Sequence, residues 1–344
     1  YLCCHLIYYS DNKYAQRHKR KEMMEIRDTI SRLNYKQLVE PLGELKNCRI
    51  CPRNCNADRF SGKKGYCKAG VDFSISSIFL HMGEEPVISG DRGICNIFFT
   101  NCNLQCIYCQ NHQISCNSLD YGGNRLSLPE VLERNAKILK TGINHVGFVS
   151  PGHFIPHVKV IVNALREMGS DPVFVYNTNG YDKPGVIDSL EGLIDVYLPD
   201  YKYVTPELAA EYSDAPDYPD VALKALKRMY FQKGSTLPLD KDGRAENGMM
   251  IRHLVLPGHA EESKNVLRSI AEELSPGIHL SLMSQYHPVP GTTHHPELDR
   301  PISRSEYSAV VKYMEELGFR NGWIQDMDSH LNYRPDFSRE HPFE

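Results

Sequence analysis

The sequence has no hydrophobic run long enough to cross a bilayer. The apolar stretch near its start, "YLCCHLIYY", falls well short of the ~20 residues that a spanning helix needs. It also lacks the basic n-region and small-residue cleavage site of a signal peptide, so a cytoplasmic protein with no membrane partner is expected. Basic excess is missing too. Lys and Arg number 39 against 43 Asp and Glu, a net charge of -4, and nothing in the bulk electrostatics supports a nucleic-acid partner. The short run "RHKRK" at residues 17–21 precedes "EMMEIRDTI" and reads as the solvated face of an amphipathic helix. Neither a G-x-G-x-x-G fingerprint nor a G-x-x-x-x-G-K-[ST] loop follows the first strand candidate, "ICNIFFT" (94–100), which counts against a nucleotide-binding doubly wound fold.

What is present is a globular composition, 41% hydrophobic and 24% charged, over 344 residues. That length suits one barrel-sized domain with an appendage, or two ordinary domains. Residues 1 to about 45 read as helical, interrupted at Pro41, and residues 48–70 form a Cys/Gly/Pro/Asn-rich knot without periodicity. Beyond it, six short apolar runs (94–100, 145–150, 172–177, 195–199, 250–256, 278–284) alternate with amphipathic helical patterns. Strict alternation implies parallel strands with right-handed crossovers, in an open sheet or a partial barrel. The expected organisation is a helical extension (1–47), a Cys-rich metal-binding subdomain (48–75), the α/β core (76–330) and a tail (331–344).

Cysteines are plentiful, eleven in all, and they cluster. In a reducing compartment such clusters bind metal or do redox chemistry more often than they form disulfides. Cys3, Cys4 and Cys116 stand apart and read as ordinary small thiols. The segment "CNLQCIYC" places Cys102, Cys106 and Cys109 just after the first strand, where parallel α/β folds gather their chemistry. A helix would put these three on one buried face, but Asn101, Asn103 and Asn111 favour a loop. Zinc would need a fourth ligand; the nearest candidates are Cys95, poorly placed within the strand, and His112. Three thiolates suit an iron–sulfur cluster with one iron left free of protein ligands.

"CNLQCIYCQN" resembles the CxxxCxxC signature of the radical S-adenosylmethionine (SAM) superfamily, with Tyr108 as the customary aromatic before the third cysteine. The resemblance implies a partial (β/α)6 TIM-like barrel in which Cys102, Cys106 and Cys109 hold a catalytic [4Fe–4S] cluster. SAM on the fourth iron would be cleaved to methionine and a 5'-deoxyadenosyl radical, with electrons from a low-potential donor of flavodoxin or ferredoxin type. Later strand ends, "YNTNGYD" (176–182), "YLPDYKY" (197–203), "IRHLVLPGH" (251–259) and "MSQYHP" (283–288), resemble segments of glycyl-radical activating enzymes such as pyruvate formate-lyase activating enzyme. That likeness implies Asn177, Thr178 and Asp200 near the SAM carboxylate, and Lys202, Arg252 and His287 facing SAM or substrate. Activating enzymes hold a monovalent cation at this corner and have an aspartate where Asn177 stands, so the case for the cation is weakened here. The second strand ends in "VSPGHF" (149–154) rather than a GGE-like stretch, leaving Ser150 and adjacent backbone for the SAM amino group, with His153 as a further candidate.

Cys48, Cys51, Cys55 and Cys67, spaced C-x2-C-x3-C-x11-C, suit tetrahedral zinc or a second, fully ligated [4Fe–4S] cluster equally on spacing. The whole pattern is similar to the pyruvate formate-lyase activating enzyme-related radical SAM proteins. The expected activity is radical generation and hydrogen abstraction, on a glycyl-radical enzyme by analogy. A peptide or small metabolite as target, or a non-catalytic iron–sulfur or zinc protein, are the alternatives.

Overall fold

The computed structural model describes residues 4–119, 125–332, 334–339 and 341–343; Cys3 and the Cys4 side chain lie outside them. The chain starts with a helix, Cys4–Ser31, whose Ile26 and Ile30 reach the main core. Arg17, His18, Arg20 and Lys21 on it are exposed, as a solvated face requires. A short helix Tyr35–Leu38 and a 3-10 helix Glu40–Asn47 follow, and the break falls where Pro41 can occupy a helix start but not an interior.

Among the described residues nine strands make one sheet: β1 (Phe73–His81), β2 (Ile94–Phe99), β3 (Arg125–Leu126), β4 (His145–Val149), β5 (Val173–Thr178), β6 (Val196–Pro199), β7 (Gly248–Leu254), β8 (His279–Met283) and β9 (Gly322–Ile324). Their spatial order is β3-β1-β2-β4-β5-β6-β7-β8-β9. From β2 through β9 all neighbours in that order are parallel, while β1 and β3 add an antiparallel edge. The sheet is not closed; of the two arrangements the alternation allows, it is the partial barrel that the resemblance implies. Every residue of β2, β4 and β6 is buried, because crossover helices on one side and the barrel interior on the other leave no wet face.

The six expected strands are all present, and three more were not legible. β9 has only three residues, too few for periodicity. β1 loses its alternation at a register shift between Ile75 and Ser77, so "FSISSIFLH" does not read as a half-buried strand. The Cys-rich knot has no helix and a single antiparallel bridge, Cys48 to Ala57.

Candidate active site

The loop after β2 (residues 100–111) is built of turns, not helix, so the three cysteines share no helical face. Asn101, at φ 65°, turns the chain out of the strand in the left-handed region that Asn tolerates. Asn117 then clamps the loop: its Oδ1 accepts from Cys102 N at 3.1 Å and its Nδ2 donates to Cys102 O at 2.9 Å. On the other side Gly291 backs onto the loop, where a Cβ would lie 2.2 Å from Ile107 O, so only glycine allows this approach. Cys95 stays out of the loop. It is fully buried in β2 and donates to Asn135 Oδ1 at 3.3 Å, on the helix Leu128–Leu139. His112 turns its Nδ1 to Cys109 O.

Each of the three sulfurs accepts a hydrogen bond. Leu104 N and Asn179 Nδ2 reach Cys102 Sγ at 3.4 Å each, Ser213 Oγ reaches Cys106 Sγ at 3.0 Å, and Ser115 Oγ reaches Cys109 Sγ at 3.3 Å. Burial pushes all three thiols up, Cys109 to about 11, while Lys202 and Ser213 pull Cys106 the other way. A buried thiol with fixed donors is a poor acid but a well-prepared metal thiolate, since a metal supplies the charge that burial withholds. Among the described residues no three cysteine sulfurs come within 4.8 Å of one another. One tetrahedral zinc would draw its thiolates to about 3.8 Å. The donor set therefore fits a polynuclear cluster better than a single ion.

The loop borders a cavity of about 390 Å³ at the carboxyl ends of the barrel strands. Cys102, Cys106, Cys109 and Tyr108 line one wall, and Ser150, Asn177, Asp200, Lys202, Arg252 and His287 line the rest. Ten of the twelve residues singled out from sequence for the cluster or SAM thus share one space. Thr178 is one exception: its hydroxyl donates to buried Asp182, away from the cavity. His153 is also elsewhere. It is fully buried with Nε2 2.9 Å from Thr100 O, and burial lowers its pKa to about 3, so it stays neutral at physiological pH.

A charge cluster occupies the cavity floor. Arg252 Nε donates to Asp200 Oδ1 at 3.0 Å, Lys202 Nζ to Asp200 Oδ2 at 2.7 Å, and Arg252 NH2 to Asn177 Oδ1 at 2.6 Å. Burial opposes charge on Asp200, yet Arg252 and Lys202 outweigh it and hold the carboxyl below its usual range. Burial likewise opposes charge on the two cations, and Asp200 overcomes it for both. Sequence reasoning missed a further carboxylate. Glu84, just after β1, accepts from Asn96 Nδ2 at 2.8 Å and Asn177 Nδ2 at 3.3 Å, and lies 3.6 Å from Arg252 NH1. Asn96 reaches it because its β4 partner is Gly147, where a Cβ would fall 2.0 Å from Asn96 Oδ1. The signal available was "GEEP" at residues 83–86, hidden because the strand before it was not readable.

Comparison with known proteins follows this geometry. Residues 96–237 match the radical SAM superfamily. An uncharacterized protein of Methanocaldococcus jannaschii, MJ0674, is 28% identical over 278 residues, 79% of this chain and 75% of that protein. Among solved structures, a domain of pyruvate-formate lyase-activating enzyme from Bacteroides vulgatus is 16% identical at a TM-score of 0.36, over 50% of this chain and 93% of that one. SuiB of Streptococcus suis bound to S-adenosylmethionine is 14% identical at a TM-score of 0.43, over 66% of this chain and 48% of SuiB, so the match spans about half of SuiB's length. Among the described residues no helix is long and apolar enough to cross a membrane.

Proposed function

We propose that Cys102, Cys106 and Cys109 hold the [4Fe–4S] cluster of this radical SAM domain, and that the cavity beside them binds SAM. The observation that carries this is the loop itself: three thiols, each with its own hydrogen-bond donor, facing a cavity whose floor carries paired cations and carboxylates. When bound, the two cofactors supply one-electron cleavage of SAM to methionine and a hydrogen-abstracting 5'-deoxyadenosyl radical.

The chain's own residues bind and orient. Lys202 spends one of its three N–H groups on Asp200 and keeps the others for the SAM carboxylate, with Arg252 beside it. Glu84 supplies, from the antiparallel edge, the carboxylate that the end of β4 lacks, and takes the SAM ammonium with Asn177. Ser150 contributes through its carbonyl and hydroxyl. Its N–H is already committed to Asn177 O at 2.8 Å, in a backbone turned to φ 49°. Each Asp200 oxygen already accepts from a side-chain cation, which weighs against a further monovalent cation there. Tyr108 closes the wall behind the cluster loop; the Tyr203 hydroxyl lies 2.6 Å from its own and 3.0 Å from Ser213 Oγ. His287, after β8, also lines this cavity and is left for the substrate.

The target favoured by the strand-end segments is a glycine of a partner protein, with a flavodoxin- or ferredoxin-type donor supplying the electron. The test is direct. Anaerobically reconstituted protein with dithionite is expected to convert SAM to 5'-deoxyadenosine, and no 5'-deoxyadenosine overturns the reading. With a glycyl-radical enzyme added, an organic radical signal on that partner is expected. Its absence, with cleavage intact, moves the target to a peptide or metabolite.

A further inference from the structure

Cys48, Cys51, Cys55 and Cys67 lie outside the barrel, and the cavity chemistry makes no use of them. They come together in space: Cys51 lies within electrostatic reach of the other three, and Cys67 within reach of Cys48 and Cys55. Three are buried and Cys55 is half-buried. Every sulfur accepts an N–H. Arg59 NH2 donates to Cys48 Sγ at 3.2 Å and to Cys67 Sγ at 3.6 Å, and Tyr66 N donates to Cys55 Sγ at 3.2 Å. The backbone of Arg53 serves Cys51, and that of Ala69 serves Cys67.

Arg59 is the informative neighbour. Its guanidinium is 3% exposed and has no carboxylate partner among the described residues. It touches the two sulfurs, His153 O at 3.0 Å and the Phe154 ring, and its Nε has no acceptor. An unpaired buried cation costs several kcal/mol, and neutral thiols offset little of that. Thiolates on a metal provide the missing negative charge at the place where the guanidinium points.

The spacing then selects the metal. Tetrahedral zinc draws four thiolates to about 3.8 Å from one another. Among the described residues the group of three ligand-type side chains with donor atoms all within 4.8 Å is Glu211, His295 and Glu297; no three of these four sulfurs meet that distance. A cubane cluster spreads its ligands more widely, because each sulfur caps a separate iron. We propose that Cys48, Cys51, Cys55 and Cys67 bind a second [4Fe–4S] cluster with all four irons ligated by protein, and not zinc.

Hydrogen bonds tie the two cysteine groups together. Tyr66, whose N–H serves Cys55, accepts at its carbonyl from Asn117 Nδ2, the same amide group that holds Cys102 O. Arg53 Nε donates to Asn103 O, next to Cys102.

The experiment is metal and sulfide analysis of anaerobically purified full-length protein, with electron paramagnetic resonance after dithionite. Wild type is expected to hold about eight irons, and a Cys102→Ala/Cys106→Ala/Cys109→Ala variant about four irons and four sulfides with a reduced-cluster signal. About one zinc and four irons in wild type overturns the proposal, and so does four irons without zinc that a Cys51→Ala/Cys55→Ala variant retains. Because the wild-type count decides between metals, misfolding of the variant does not blunt the test. Should the cavity reading fail instead, wild type and variant would both hold four irons, and that iron would be lost from a Cys51→Ala/Cys55→Ala variant.

Discussion

Replacing Glu84 with glutamine separates a ligand-binding carboxylate from a structural one. The amide keeps the volume and an oxygen for Asn96 Nδ2, which now approaches it at 2.8 Å. Arg252 keeps Asp200 at 3.0 Å and Asn177 at 2.6 Å, so losing a partner at 3.6 Å leaves the cation held. The cost to folding is therefore small, about 1 kcal/mol or less. Binding is different. A hydrogen bond between a carboxylate and an ammonium is worth about 1.5–3 kcal/mol in a dry site. Its loss should weaken SAM roughly 10- to 150-fold. The assay is anaerobic calorimetry of SAM binding to reconstituted protein, alongside a thermal melt. A Kd within twofold of wild type refutes the role given to Glu84, and a lowered melting temperature with an unchanged Kd would show a purely structural carboxylate.

Cys106→Ala should abolish 5'-deoxyadenosine formation and lower the iron count by about four, since three thiolates are the fewest that hold the cluster; retained cleavage would refute the assignment. Ser213→Ala removes the 3.0 Å donor to Cys106, leaves more negative charge on that sulfur, and should make the cluster's reduction potential more negative in a redox titration. Asp182 is 1% exposed, and burial raises its pKa to about 6 despite hydrogen bonds from Thr178 and Tyr176. The folded state thus holds a proton the unfolded state releases near pH 4, so stability should fall by about 2–3 kcal/mol as pH rises from 4 through 6. Asp182→Asn should flatten that part of the melting-temperature profile, and an unchanged slope counts against the assignment.

Much of the barrel was legible because its strands announce themselves by composition. "HVGFVS" and "DVYLP" are buried on both faces, so they read as unbroken apolar runs between amphipathic helices. The cysteine loop was legible because three thiols among asparagines in one short segment have few uses. Other parts were not. Thr178 sits one residue from cavity-lining Asn177, yet strand alternation sends its hydroxyl to Asp182, and "NTNG" alone does not say which face is which.

The sequence by itself determined the order of six barrel strands and the helices between them, the place of the cysteine loop after the first of these strands, and the presence of a second four-cysteine group. These are local matters of periodicity, turn chemistry and ligand spacing. Tertiary structure decided what comes from afar. Glu84 reaches Asn177 and Arg252 across 93 and 168 residues, from just after β1, the antiparallel strand whose irregular pattern hid it. Arg59 meets Cys48 and Cys67 only where the chain folds back on itself. Sulfur-to-sulfur distance, which separates one zinc from a cubane, depends on how a knot without helices packs against the barrel. Spacing along the chain sets which thiols can converge, and packing sets how closely they do.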